Sequence, residues 1–290
     1  MPTTLPLRNY LQKLKEEYEK LKQGKDSLLA LIDEAEIPEN TYNSNAIENS
    51  TLTLPETEKI LLEMEVSRKV SVREVFEAKN LARVVTYIRN KAGEKDLDRE
   101  MILLLHQMLI GGINDEIAGR FRKTGEYVRV GSHIAPGPEQ IEKMIEDIFI
   151  EYSSNVQSFF SDKIARFHLD FETIHPFIDG NGRIGRIIIN YQLQRMGFPP
   201  IIIRDKEKQE YYKSFSDYRY GKNTKTMEKI IALAVMESLH KRLAYLRGET
   251  IIPLTEYAKQ QKKTSPSVLN AAKRQNIRAF RERGVWKIGI

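Results

Sequence analysis

Glu172 to Arg186 reads ETIHPFIDGNGRIGR, and its residue types dictate a helix, a tight turn and a second helix. Pro176 lacks an N–H and must leave the helix that precedes it. Gly180 and Gly182 permit the positive φ angles of an anion-binding turn. A helix starting just afterwards directs its unpaired N–H groups and its positive dipole end into that turn. Arg183 and Arg186, three apart, share the first turn of that helix and offer guanidinium forks to phosphate oxygens. Asp179 is a hard oxygen ligand, suited to a Mg²⁺ that keeps much of its water shell. His175 adds a base that titrates near neutral pH.

The same residues carry a rival signal. Gly180-Asn181-Gly182-Arg183-Ile184-Gly185 fits the dinucleotide fingerprint G-x-G-x-x-G, with Asp205 twenty residues beyond Gly185. That fingerprint needs a buried parallel strand before it, an unbroken Val/Ile-rich run. Here ARFHLDFETIHPF spaces its apolar residues among charges and then meets a proline. The strand is missing, which rejects the Rossmann reading.

Working outward, most of the chain has helical patterning. Leu11, Leu14, Tyr18 and Leu21 recur at three- and four-residue steps among Lys and Glu, as do Ile141, Ile145, Ile148 and Tyr152. The polar segment from Pro38 to Thr53 breaks the pattern, and helical runs resume at Leu54, Val75 and Leu97. Gly111 to Pro138 is the least helical part, a loop carrying a small hairpin around Tyr127-Val128-Arg129-Val130. Gly248 and Pro253 mark a boundary. The expected division is a helical region over 1–92, a core over 93–247 and a small module over 248–290.

Composition is that of a globular protein, 41% hydrophobic and 30% charged. No apolar run suffices for a membrane helix and no signal peptide opens the chain, so the expected address is cytoplasmic, without a membrane partner. There is no cysteine, which excludes disulfides, thiolate catalysis and cysteine-ligated zinc. The net charge of +6 is uneven: Lys241 to Ile290 holds twelve Lys or Arg against three Asp or Glu, so the first 240 residues carry 34 basic and 37 acidic side chains. A basic appendage on a near-neutral body is implied.

The loop resembles the Fic family, whose pattern H-P-F-x-[DE]-G-N-G-R-x-x-R is met in full from His175 to Arg186. AGRFRKTGEYVRVGSHIAPGP (118–138) is similar to the family's flap and NSNAIENS (43–50) to its inhibitory helix, so the resemblance covers about Tyr42 to Leu239. It implies an all-α fold, a helical bundle with a small β-hairpin flap, and transfer of AMP from ATP to a hydroxyl of a target protein. In that scheme His175 deprotonates a Ser, Thr or Tyr hydroxyl, on another protein or on this one, as it attacks the α-phosphate. Asp179 holds Mg²⁺; Gly180, Asn181, Gly182 and Arg183 cradle phosphates; Arg186 meets the γ-phosphate. The Tyr211-Tyr212 pair lies against the nucleotide base, although adjacent helical positions point about 100° apart and only one of them can stack. Arg219 stands where some relatives have asparagine, which leaves base preference open. Val128, Arg129 and Val130 would take a target segment as an added strand. His133 is a flap residue, not a second base.

Ser44-Asn45-Ala46-Ile47-Glu48-Asn49 fits the family's inhibitory pattern [ST]-x-x-x-E-[GN]. A Glu48 carboxylate on Arg186 would fill the fork meant for the γ-phosphate and repel the nucleotide. Beyond Gly248, two short helices and a hairpin about Gly284 resemble the winged helix-turn-helix of excisionase-type DNA-binding domains. Lys273 and Arg274 would approach the groove of duplex DNA, and Arg278, Arg281, Arg283 and Lys287 its phosphates; a basic dimerisation module is the alternative, and an exposed apolar face is compatible with a homodimer. Two functional alternatives stand beside AMP transfer. One is a same-fold enzyme that removes AMP or moves another phosphate-linked group. The other is a DNA-binding regulator that only senses ATP.

Overall fold

The computed structural model describes residues 3–66 and 69–290. Helices α1 (Leu5–Leu21), α2 (Asp26–Ile47), α3 (Leu54–Glu58), α4 (Val72–Lys91) and α5 (Arg99–Ile110) lead to a long loop with a hairpin, β1 (Arg129–Val130) and β2 (His133–Ile134). Then come α6 (Ile141–Ser154), α7 (Phe160–Ile174), α8 (Asn181–Arg195), α9 (Lys208–Gly221) and α10 (Lys225–Arg247). The helix starts are conventional. Thr53 and Glu56 form a reciprocal capping box on α3, and Asp98 accepts from Met101 N at 2.7 Å on α5.

Two apolar cores meet at α7 and α8. One joins α1, α2, α8, α9 and α10 through residues such as Leu11, Ile47, Leu193, Val235 and Leu239. The other joins α4, α5, α6 and α8 through Leu81, Leu105, Ile145 and Ile188. Leu169 of α7 belongs to the first and Phe171 to the second. Because α1 and α4 each bury their stripes in cores shared with later helices, the boundary expected near residue 92 does not divide the core.

Helix α2 runs straight through Pro38, where the composition suggested a break. Its second half is polar yet buried: Glu39, Thr41, Asn43, Ser44 and Asn45 are each no more than 6% exposed. Residues far along the chain supply partners, Arg204 for Glu39, Asp205 N for Asn43 and Arg186 for Ser44. Apolar periodicity cannot register such a helix, because the partners that let its polar groups be buried come from elsewhere in the fold.

The C-terminal residues form β3 (Ile251–Pro253), α11 (Leu254–Gln260), α12 (Ser265–Lys273), β4 (Ala279–Glu282) and β5 (Val285–Gly289), with the antiparallel strand order β3-β5-β4. The hairpin about Gly284 is as expected, and β3 is a third strand that the short Ile251-Ile252 pair hardly signals. Ile252, Val268, Ala279 and Ile288 make a small core of their own. Phe280 is fully buried, whereas Val285 on β5 is 52% exposed. No helix among the described residues is long and apolar enough to cross a membrane.

Candidate active site

Helix α7 ends at His175, which takes the left-handed conformation (φ 50°) and donates its N–H to Phe171 O at 2.9 Å. A helix, not a strand, therefore precedes the glycine turn, as the rejection of the dinucleotide fold requires. Gly180 (φ 83°) caps α8. The first N–H groups of α8, at Asn181, Gly182 and Arg183, have no carbonyl one turn earlier in the helix and open the anion cradle. Asn181 does more than lend its backbone: its amide accepts from Phe177 N and donates to Phe177 O, both at 2.9 Å, stapling the loop to the helix it starts.

Two braces escaped the sequence reading. His106, within the apolar run MILLLHQMLI of α5, stacks on Phe177 with ring centres 3.7 Å apart. Its Nδ1 accepts from Gly119 N at 3.0 Å, so Nε2 carries the proton and donates to Asp179 O at 3.0 Å. A lone ring nitrogen pair in an otherwise apolar helix is a usable signal. Arg122 is buried, and its guanidinium donates to the carbonyls of His175, Glu126 and Pro136, each at 2.9 Å. Its own N–H bonds Pro176 O at 2.9 Å, tying the hairpin loop to the His175 loop. Carbonyl partners leave no side-chain pattern to read.

The loop lines an open cleft of about 470 Å³ together with Asn45, Glu48, Arg73 and Glu77. His175 Nδ1 is buried without a hydrogen-bond partner among the described residues, and burial lowers the imidazole to about 4, so the ring is neutral at physiological pH. Glu172, one turn earlier, lies 3.9 Å from that nitrogen. Burial, reinforced by the nearby Glu48 carboxylate, pushes Glu172 up to about 8. Burial alone would raise Asp179 too, but Arg183 and Arg73 hold it below the usual carboxylate range.

The three charged residues of the motif are all paired. Arg186 donates to Glu48 Oε1 at 2.8 Å, to Ser44 O at 2.7 Å and to Ser44 Oγ at 2.9 Å. Arg183 lies 3.2 Å from Asp179 and 3.3 Å from Glu77, and Arg73 of α4 bonds Asp179 directly. The two motif arginines thus answer to different helices, α2 and α4. Asn49, just past Glu48, sits at φ 66°. This explains why Gly or Asn follows the glutamate in the inhibitory pattern, since these residues adopt the left-handed region most readily.

Residues 96–193 match the profile of the Fic/DOC family. Residues 96–193 form a Fic/DOC domain. The chain is 32% identical over 222 residues to a protein adenylyltransferase Fic from Nematostella vectensis, an alignment spanning 74% of this chain and 50% of that protein. The chain thus spans about half the length of that relative and 35% of one from Drosophila willistoni, to which it is 35% identical over 180 residues. The fold is shared with a Fic domain-containing signaling protein from Bacteroides thetaiotaomicron at a TM-score of 0.74 and 22% identity, covering 83% of this chain and 97% of that one.

Around this Fic/DOC domain the other expected residues fall unevenly. Tyr211 is 1% exposed, with its hydroxyl 2.8 Å from His168 Nε2 in the core, so it is not available to a base. Tyr212 is 41% exposed and donates to Ile47 O at 2.6 Å. Arg219 reaches the site's edge, donating to Glu172 O at 3.4 Å. Arg129 and Val130 are exposed on the hairpin and Val128 is half-buried, its carbonyl accepting from Ala135 N at 3.0 Å. His133 approaches Thr173 O at 2.8 Å, tethering the hairpin.

The basic C-terminal residues also divide. Lys273, Arg274 and Arg278 are exposed and make no ion pair among the described residues. Arg281, expected at a phosphate, is instead held by Glu237 at 2.6 Å and Glu207 at 2.7 Å, and stacks on Trp286. Lys287 pairs with Glu282 at 2.7 Å, and Arg283 pairs with Glu58. Intramolecular carboxylates thus occupy Arg281, Arg283 and Lys287, three of the six cations expected to face DNA.

Proposed function

We propose that this chain transfers AMP from ATP to a hydroxyl of a target protein and that Glu48 restrains it. The observation that carries the reading is the pairing of Arg186 with Glu48 and Ser44 beside a complete His175 to Arg186 loop. Those donors are the ones a γ-phosphate would need, and a carboxylate on them adds charge of the wrong sign. His175 lines the cleft and is neutral, so its Nε2 has a lone pair for the proton of an incoming hydroxyl. The new bond joins that oxygen to the α-phosphorus, the bond to the bridging oxygen breaks, and pyrophosphate leaves. The N–H groups of Asn181, Gly182 and Arg183 hold the phosphates in line.

The residues fit a Mg²⁺ ion. No cluster of three or more His, Asp or Glu ligands occurs among the described residues, and one carboxylate at the cleft, Asp179, suits a metal that takes its remaining ligands from phosphates and water. When bound there it would neutralise phosphate charge. Arg73 must then give up Asp179. The exposed edge of the β1–β2 hairpin beside the loop suits a target segment added as a strand.

Labelled ATP, incubated with a cell lysate and purified protein, tests the proposal. Wild type should be nearly silent, Glu48→Gly should incorporate label at least ten-fold faster, and adding His175→Ala to that variant should abolish transfer while ATP still binds. Equal labelling by wild type and Glu48→Gly would remove the restraint. Transfer that survives His175→Ala would refute the base.

A further inference from the structure

The C-terminal hairpin turns at Arg283-Gly284, with φ angles of 51° and 76°. A two-residue turn with both φ angles positive favours Asn-Gly or Asp-Gly, and arginine is a poor choice for its first position. The contacts account for it. Arg283 N and Gly284 N donate to the two oxygens of Glu39 at 3.0 and 2.8 Å, and the Arg283 guanidinium bonds Glu58. Glu39 is 4% exposed and also holds Arg204. Arg204 continues to Glu237 at 3.1 Å, and Glu237 binds Arg281 of the same hairpin at 2.6 Å. A buried ring of charges thus locks the hairpin to α2.

Glu39 lies on the helix that ends at Glu48. Immediately before it stands Pro38, which removes one backbone hydrogen bond from the otherwise continuous helix. The half of α2 after Pro38 carries Glu39 at one end and Ser44 with Glu48 at the other. A helix transmits a push on one end to the other over nine residues, about 14 Å at 1.5 Å per residue. We propose that the C-terminal hairpin is a clamp on this half-helix, keeping Glu48 on Arg186, and that displacing the hairpin frees the arginine. The link to the site rests on the reading of Glu48 as a restraint; the clamp itself does not.

The test uses the full chain and two variants, Glu39→Gln, which weakens the turn's acceptor, and Arg281→Gln, which loosens the hairpin without touching α2. Amide hydrogen exchange over residues 40–48 reads the clamp, and ATP affinity by calorimetry reads the link, with Glu48→Gly as reference. Exchange should rise at least five-fold in either variant, and ATP should bind three- to ten-fold tighter, approaching the reference. Unchanged exchange over 40–48 in a folded Arg281→Gln protein overturns the clamp, even if Glu39→Gln fails to fold. Faster exchange with unchanged ATP affinity, while Glu48→Gly does bind tighter, overturns the link. If Glu48→Gly itself leaves affinity unchanged, the restraint fails and exchange alone decides the clamp.

Discussion

Glu172 shows how a single residue feels the site around it. Its carboxyl is buried one turn before His175, with Oε1 unpartnered among the described residues and Glu48 nearby. Gly185 leaves it room, since a Cβ there would fall 2.5 Å from Oε1. Protonation raised to about 8 in the fold, against 4.5 in the open chain, has a definite sign. The contribution to stability is complete below pH 4.5, shrinks as pH rises and is lost above about 8. At about 1.4 kcal/mol per unit the full effect is on the order of 5 kcal/mol. Urea unfolding of wild type and Glu172→Gln across pH 5 to 9 checks it: the variant should gain on wild type as pH rises. A difference that does not vary with pH would sink the argument.

At the scale of elements, the hairpin loop and the His175 loop are joined by one side chain. Arg122 satisfies carbonyls from both, at Glu126 and Pro136 on one side and Ile174 and His175 on the other. Arg122→Met fills similar space but leaves those acceptors dry. With about 1–3 kcal/mol for each buried acceptor left unpaired, partly relieved by water, a loss on the order of 3 kcal/mol is expected. Faster hydrogen exchange over residues 123–138 should accompany the lower denaturation midpoint. If the midpoint falls while exchange in the hairpin does not change, Arg122 supports the core and not the hairpin. Helix α2 teaches the complementary lesson: its polar second half stays helical because Arg204, Asp205 and Arg186 meet it.

Across the whole molecule, burial keeps histidines neutral in separate places. His106 and His175 in the site and His240 on α10 are lowered to about 4, and His168 to about 3, by desolvation. Because these values lie below the unfolded value near 6.5, their contribution is present above pH 6.5 and is lost as pH falls through about 4. Unfolding near pH 5 should therefore draw in roughly one proton per histidine, offset by release from Glu172. Proton uptake measured against the pH dependence of the melting temperature tests this, and uptake near zero at pH 5 would contradict it.

What the chain determined by itself is the shape of its loop. Pro176 and Gly180 act on their own backbone, so helix, turn and helix follow without help from elsewhere. Gly182, expected in the turn at positive φ, instead lies inside α8, where a Cβ would run into Glu48 Oε1. The same local logic made the hairpin about Gly284 legible. Only the tertiary structure decided who holds the charges: Glu48 and Ser44 on Arg186, Glu77 and Arg73 at the other end of the loop, Glu237 on Arg281. It alone buried Tyr211 while exposing Tyr212, and carried α2 through Pro38. Backbone constraints reach a few residues, whereas the pairings that set this site join residues more than a hundred apart, where charge and burial are properties of the assembled fold.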